Sequence, residues 1–418
     1  MQKASIITIG DELLIGQVID TNSAWLAQEL NKLGIMVVRR IAVGDNERDI
    51  EDALNTASDC RLVILTGGLG PTSDDITKPF LLKYFGGKMT VHQPTLLHIQ
   101  YLWNEVFKRE LTLRNIKQAE VPDTCRVLPN SAGTAPGMWF EKNGTIFISL
   151  PGVPHEMKTI MQEFGFPEIQ SAITGQMVLH KTMETFGIGE SMIADRLMEF
   201  ESNLPNFIRL AYLPNFSLVR LRLTAIYAAH YSTEEVLSSK FLELTTLLKD
   251  VMVSEDDVPM EKIVMDMLHS RKKMMATAES CTGGYIAHLI TRNPGSSAVF
   301  EGATVTYSNR FKTNLLKVPE EIINTYGVVS GEVVKEMLHG LLQVSMADYG
   351  IAVSGIMGPD GGTAEKPVGT VWVAAGSGKN QLIQKFHFRF GRQQNIELTA
   401  MNALNLLREV ILMEESGD

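Results

Sequence analysis

Three cysteines in 418 residues, Cys60, Cys125 and Cys281, are too few and too scattered for a disulfide framework or a cysteine-based zinc site. That scarcity suits a reducing compartment, so a cytoplasmic location is expected. Positive charge is also in short supply: 38 Lys and Arg stand against 48 Asp and Glu, a net charge of −10. A sequence-independent grip on nucleic acid rests on neutralising phosphates with basic side chains, so direct nucleic-acid binding is not expected. No apolar run approaches the roughly 20 residues that a membrane-spanning helix needs. The chain opens on a strand-like Ala4-Ser5-Ile6-Ile7-Thr8-Ile9-Gly10, without the basic region and long apolar stretch of a secretory leader. Neither a membrane partner nor export is expected. The apolar fraction, 44 %, is ample for buried cores, and the length predicts more than one domain.

The first third alternates apolar strands with helical patterns: strands over 4–9, 35–42 and 61–66, helices over about 21–33, 47–58 and 75–85. Such alternation predicts an α/β domain with a parallel sheet covered by helices, in which ligands collect at the carboxyl ends of the strands. Two of those ends carry unusual residues. After the first strand comes Gly10-Asp11-Glu12-Leu13-Leu14-Ile15-Gly16, with Asp20-Thr21-Asn22 ahead of the helix. After the third comes Thr66-Gly67-Gly68-Leu69-Gly70-Pro71-Thr72-Ser73-Asp74-Asp75-Ile76-Thr77-Lys78. Glycines free the backbone to wrap a diphosphate, whereas carboxylates repel one unless a cation lies between. Mg²⁺, which binds through carboxylates and substrate phosphates together, meets both demands. The competing explanation is that Asp20, Asp74 or Asp75 simply caps the helix that follows it.

The middle of the chain has a different character. Residues about 177–188 and 207–227 read as strands and 190–200 and 233–248 as helices, a small α+β module in which Arg220 and Arg222 share one strand face. Glu255-Asp256-Asp257-Val258-Pro259 reads as a linker into a helix near 259–271.

The sharpest pattern lies in the last third. Met274 to Ala278 predict a buried strand and Tyr285 to Ile290 the first turns of a helix, with Ala278-Glu279-Ser280-Cys281-Thr282-Gly283-Gly284 between them. Ser280 thus sits where strand becomes helix, beside backbone N–H groups suited to a developing oxyanion or a phosphate. A serine hydroxyl needs a base, which can be a lysine whose pKa is lowered by burial. Tyr307-Ser308-Asn309-Arg310-Phe311-Lys312 offers Lys312 as that base and Tyr307 as a proton relay. The alternative makes Ser280 an N-cap, Tyr307 a strand residue and Lys312 a solvated helix residue. Cys281 is a rival nucleophile, although no His and Asn can be placed beside it. A glycine-dense loop, Val353-Ser354-Gly355 through Asp360-Gly361-Gly362-Thr363, follows an apolar run and leads to Lys366-Pro367-Val368-Gly369.

Together the serine turn, the Tyr-Ser-Asn segment, Val328-Val329-Ser330 and this loop resemble the C-terminal domain of the CinA family, the nicotinamide mononucleotide deamidases, over roughly residues 258–418. The resemblance implies hydrolysis of the nicotinamide mononucleotide carboxamide to nicotinate mononucleotide and ammonia, without a cofactor. It implies Ser280 as nucleophile, Lys312 as base and Tyr307 as their hydrogen-bonding partner. Thr282, Gly283 and Gly284 would cradle oxyanion or substrate; Ser296, Ser297, Ser354, Gly355, Gly361, Gly362 and Thr363 match loops near the substrate, and Arg392 would pair with its phosphate. Glu301-Gly302-Ala303 and Asp360 depart from the family pattern without removing a group the chemistry needs.

The two glycine and acid loops, with Leu128-Pro129-Asn130-Ser131-Ala132-Gly133-Thr134 and Pro151-Gly152-Val153-Pro154-His155-Glu156, resemble the MoaB/MogA-like, molybdopterin-binding-like domain of the same family over roughly residues 1–170. That likeness implies hydrolysis of ADP-ribose to AMP and ribose 5-phosphate, dependent on a divalent metal, Mg²⁺ being the expected one, and promoted by K⁺. Asp11, Glu12, Asp20, Asp74 and Asp75 become the metal candidates. Gly67, Gly68, Gly70 and Thr72 become the phosphate cradle, Lys78 a charge neutraliser, and Asn130, Gly133, Thr134, Gly152 and Glu156 pocket residues. The implied division is 1–170, 171–254 and 255–418, and the implied assembly a homodimer. The alternatives are a molybdopterin-binding module and an interaction protein in competence or recombination with a recombinase partner.

Overall fold

Six consecutive buried residues in β1 (Gln2–Ile9) and five in β3 (Leu62–Thr66) are apolar or small, as strands covered on both faces must be. The computed structural model describes residues 2–72, 75–173, 178–215, 218–226 and 232–416. The chain divides into one unit of residues 1–180 with 224–236 and another of 181–223 with 237–418.

In the first unit, β2 (Ile35–Val43), β1, β3, β8 (Thr145–Leu150), β7 (Gly137–Lys142) and β6 (Arg126–Leu128) form one sheet in that order. β1 is parallel to β2 and β3, and β3 to β8, as the alternation predicts. β6 and β7 are an antiparallel edge that this pattern does not contain. The β7–β8 hairpin turns on Asn143-Gly144, both at positive φ (52° and 79°), the requirement of the tight turn that matches strand twist. Helices Thr21–Lys32 and Glu47–Thr56 begin at side-chain caps, Asp20 and Asn46. Leu26 and Leu30 of the first and Ile50 and Leu54 of the second are buried in separate apolar clusters. A short pair, β4 (Met89–Val91) with β5 (Glu120–Pro122), stands apart from the main sheet.

The middle residues build a four-stranded sheet, β10 (Ile208–Asn215), β11 (Leu218–Ile226), β9 (Val178–Phe186) and β12 (Met252–Ser254). The strand region expected over 207–227 holds two strands, β10 and β11. At about 3.3 Å per residue a run of 21 would extend some 70 Å, far beyond an ordinary strand.

The second unit carries a five-stranded sheet, β14 (Phe300–Val305), β13 (Met275–Glu279), β15 (Tyr349–Gly355), β16 (Thr370–Ser377) and β17 (Gln381–His387). β13 runs parallel to both neighbours, and β16 and β17 continue antiparallel. Helix Arg392–Ser416 closes the main apolar cluster, burying Ala403, Leu407, Val410 and Ile411. In both units the central parallel strand, β1 or β13, has the next two strands of its sheet in sequence on opposite sides. Its carboxyl end is therefore a topological switch point, where crossovers diverge and leave a crevice.

Candidate active sites

Ser280 follows β13 directly, its N–H donating to the Val353 carbonyl (3.2 Å). The helix beyond begins with Gly284 as N-cap, so Ser280 does not cap it. Lys312 lies on helix Asn309–Leu316, whose first turn is fixed by Ser308 Oγ accepting the Phe311 N–H. Far from being solvated, Lys312 is 0 % exposed. Its Nζ donates to Ser280 Oγ at 2.9 Å, to the Thr306 carbonyl at 2.7 Å and to the Tyr307 carbonyl at 3.4 Å. Burial pulls the ammonium pKa down to about 8. The Cys281 thiol is buried and pushed up to about 12 by that burial, which leaves it protonated and inert at neutral pH. Ser280, Lys312, Tyr307, Asn309, Ser354, Gly355 and Arg392 line one cavity of about 210 Å³. Ser354 Oγ donates to the Val328 carbonyl (2.8 Å), joining two of the walls.

Several expected positions differ. The Tyr307 ring is 63 % exposed, and its hydroxyl meets Arg392 Nη2 (3.4 Å) rather than Ser280 or Lys312, so it forms no relay between them. The helix N-terminus beyond the serine is already filled. Glu279, wholly buried, accepts the N–H groups of Gly284, Ile286 and Ala287 and the hydroxyls of Thr277 and Thr282. Thr282, Gly283 and Gly284 therefore hold the turn and do not line the cavity. In the turn itself the N–H groups of Cys281 and Thr282 have no carbonyl or carboxylate partner among the described residues. Ser296 and Ser297 precede β14, and β14 is parallel to β13, so six residues of strand, about 20 Å, separate them from the serine end of the sheet. Gly361, Gly362 and Thr363 form an exposed turn in which Thr363 and Lys366 bond each other, outside the cavity. The sequence motifs assign Glu279 no site role. Its signal was a charge ending an otherwise apolar strand.

In the first unit a cavity of about 440 Å³ opens at the carboxyl end of β1. Glu12, Asp45, Gly67, Gly68, Gly70, Asp75, Thr134, Gly152 and Glu156 line it. Gly67, at φ 117°, brings the loop after β3 against β1: a Cβ there would lie 2.1 Å from the Ile9 carbonyl oxygen. A Cβ on Gly133 would lie within 2.2 Å of the Glu156 carboxyl. Glu156 accepts from Asn130 Nδ2 (2.6 Å), which also donates to the Ala135 carbonyl, and burial raises the Glu156 pKa.

The carboxylates do not all gather. Asp20 caps its helix through the Ser23 N–H, as its alternative explanation had it. Asp75 accepts the N–H groups of Gly70 and Thr72 and the Thr72 hydroxyl, so Thr72 braces the loop instead of facing the cavity. Asp11 and Asp45 exchange backbone-to-carboxylate bonds (3.0 and 3.2 Å) that tie together the loops after β1 and β2. Lys78 is buried, donates to the Gln118 carbonyl (2.8 Å) and does not line the cavity; burial lowers its pKa to about 8. Asp74 lies outside the described residues, among which no three Asp, Glu, His or Cys side chains converge on a metal position. Asp45, unremarked in the sequence, stands at the carboxyl end of β2, where the same strand-end rule would have found it.

Among the described residues no helix is long and apolar enough to cross a membrane. Residues 257–411 match the family described as CinA C-terminal domain, residues 5–171 the Probable molybdopterin binding domain and residues 180–251 the Damage-inducible protein CinA KH domain. A CinA-like protein of Cytophaga hutchinsonii is 42 % identical over 406 residues, covering 97 % of each chain. One of Flavobacterium psychrophilum is 41 % identical over 416 residues, covering 99 % of this chain and 100 % of the relative. Among solved structures, the competence/damage inducible protein CihA from Agrobacterium tumefaciens is 38 % identical over 36 % of this chain and 93 % of its own, with a TM-score of 0.36. The chain belongs to the CinA family.

Proposed function

We propose that the chain is a bifunctional hydrolase of pyridine-nucleotide recycling. Its second unit deamidates nicotinamide mononucleotide, and its first hydrolyses ADP-ribose to AMP and ribose 5-phosphate. The observation that carries the first activity is the buried Lys312 Nζ at 2.9 Å from Ser280 Oγ. Two carbonyls hold the amine, so once it loses a proton its lone pair is directed at the serine hydroxyl. Ser280 Oγ attacks the carboxamide carbon while its proton passes to Lys312. The tetrahedral oxyanion is assigned to the N–H of Cys281, which lines the cavity beside Ser280. Lys312 returns the proton to the departing nitrogen, ammonia leaves, and water activated by the same amine releases nicotinate mononucleotide. Arg392, held by the Gly358 carbonyl (2.9 Å) at the cavity mouth, is assigned the 5′-phosphate.

The first-unit reading rests on a diphosphate-sized cavity at a switch point, walled by glycine backbone and carboxylates. Mg²⁺ uses one or two carboxylates and takes its remaining ligands from phosphates and water, so a preformed cage is not needed. Glu12, whose side chain forms no hydrogen bond among the described residues, and Glu156 are the residues assigned to hold it. Such an ion would screen the diphosphate from these acids and polarise the bond to be cleaved. The chain's own part is to present the Gly67 to Gly70 backbone to the phosphates and to hold Glu156 through Asn130. In the presence of Mg²⁺, Glu12→Gln is expected to lower AMP release from ADP-ribose by about a hundredfold, with deamidation unchanged; unaltered AMP release would remove Glu12 from that role.

Direct nucleic-acid binding is not part of this proposal. KH modules clamp a nucleic-acid backbone with a Gly-x-x-Gly loop. Residues 180–251 contain two glycines, Gly187 and Gly189, at the wrong spacing. Arg220 is paired with Asp257 at 2.9 Å.

A further inference from the structure

A third cavity, of about 370 Å³, lies within the second unit, between β17, the segment 250–253 and the face of helix Arg392–Ser416 that carries Asn402, Asn405 and Glu409. It shares no lining residue with the Ser280 cavity. Asn405 is 7 % exposed. Its Nδ2 donates to Glu409 Oε1 (2.7 Å), while its Oδ1 is buried with no partner among the described residues. A buried amide oxygen without a donor is costly, on the order of 1–3 kcal/mol, a cost that an N–H entering from the cavity relieves once the amide turns toward it. Arg408 is half-buried, anchored by one bond to the Met252 carbonyl (3.2 Å), and forms no ion pair among the described residues. Of the two acids, Asp250 is already engaged by Arg196 at 2.9 Å, and Glu409 offsets Arg408. The lining is thus close to neutral. Phe186 and Phe386 give it two aromatic rings.

We infer that this cavity binds a nucleoside. A planar heterocycle lies against the phenylalanines, as bases do on aromatic platforms; its N–H edge meets Asn405 Oδ1, and the sugar, or a phosphate on it, faces Arg408. The volume falls in the range of small-molecule sites. The test is amide hydrogen exchange of the full-length protein with adenosine and, separately, with adenosine 5′-monophosphate. A ligand at four times its Kd slows exchange through opening about fivefold. That slowing is expected in segments 250–253, 381–387 and 402–409, and is expected to disappear in Asn405→Leu and in Arg408→Gln. A variant counts when its β13 segment exchanges as in wild type, and the two substitutions give independent routes to that control. Equal slowing by both probes gives Arg408 the sugar, and stronger slowing by the monophosphate gives it the phosphate. Unchanged exchange in those three segments with both probes, or slowing that survives both substitutions, overturns the site.

Discussion

A lysine becomes a base only where its charge is expensive, and Lys312 is such a case: fully buried, with two carbonyls and a hydroxyl around Nζ and no carboxylate paired to it among the described residues. With a folded pKa of about 8 against an ordinary 10.5, roughly a tenth of it is neutral at pH 7. Deamidation kcat/KM is therefore expected to rise about tenfold per pH unit up to pH 8 and to level off above it. A profile flat from pH 6 to 9 would remove Lys312 from the base role. The same shift has a stability consequence in a higher pH window. Between pH 8 and 10.5 the unfolded chain binds the proton that the folded one has lost, so this residue's contribution to stability increases as pH rises through that window. Below pH 8 both states are protonated and the burial penalty stands in full. Lys312→Arg keeps the charge but cannot release a proton at any working pH. It is expected to cost at least about a thousandfold in kcat, where a purely structural lysine would leave a substantial rate.

At the level of elements, the turn between β13 and helix Tyr285–Thr291 is built around one carboxylate. Glu279 gathers five donors, so the unpaired N–H groups of a helix start are spent on positioning the serine loop instead of on substrate. Glu279→Gln turns an amide N–H₂ toward those donors and is expected to destabilise the second unit by about 3 kcal/mol, read as a lower urea midpoint. No change in the midpoint would mean the clamp is energetically idle. The serine turn and the lysine were legible in the sequence because residue type and spacing carry them. The clamp was not, since nothing in a linear pattern says whether a carboxylate bonds a cation, a ligand or the next helix. Asp20 shows the same ambiguity resolved toward capping, and Asp75 toward loop bracing. The parallel strands followed from apolar alternation. The antiparallel β6–β7 edge does not follow from that alternation, although Asn143-Gly144 announces the β7–β8 hairpin next to it. Ser296, Ser297 and the 361–363 turn matched family loops, but a motif does not say at which end of a sheet it lands.

Across the whole chain, two α/β units put a loop site at the carboxyl end of the strand where their crossovers diverge, and fill it with different chemistry. One cavity is walled by carboxylates and glycine backbone, where the proposal puts a cation shared with phosphates; the other holds a serine and a lysine, and the proposed deamidation draws on those side chains alone. EDTA is accordingly expected to abolish AMP release from ADP-ribose and to leave deamidation intact, and loss of both activities in chelator would contradict this division. The central claim is tested most directly by ammonia release from nicotinamide mononucleotide in the presence of EDTA, for wild type and for folded Ser280→Ala. The account predicts release by wild type and a loss of at least about a thousandfold in the variant. No release by wild type, or an unchanged rate in Ser280→Ala, would contradict it.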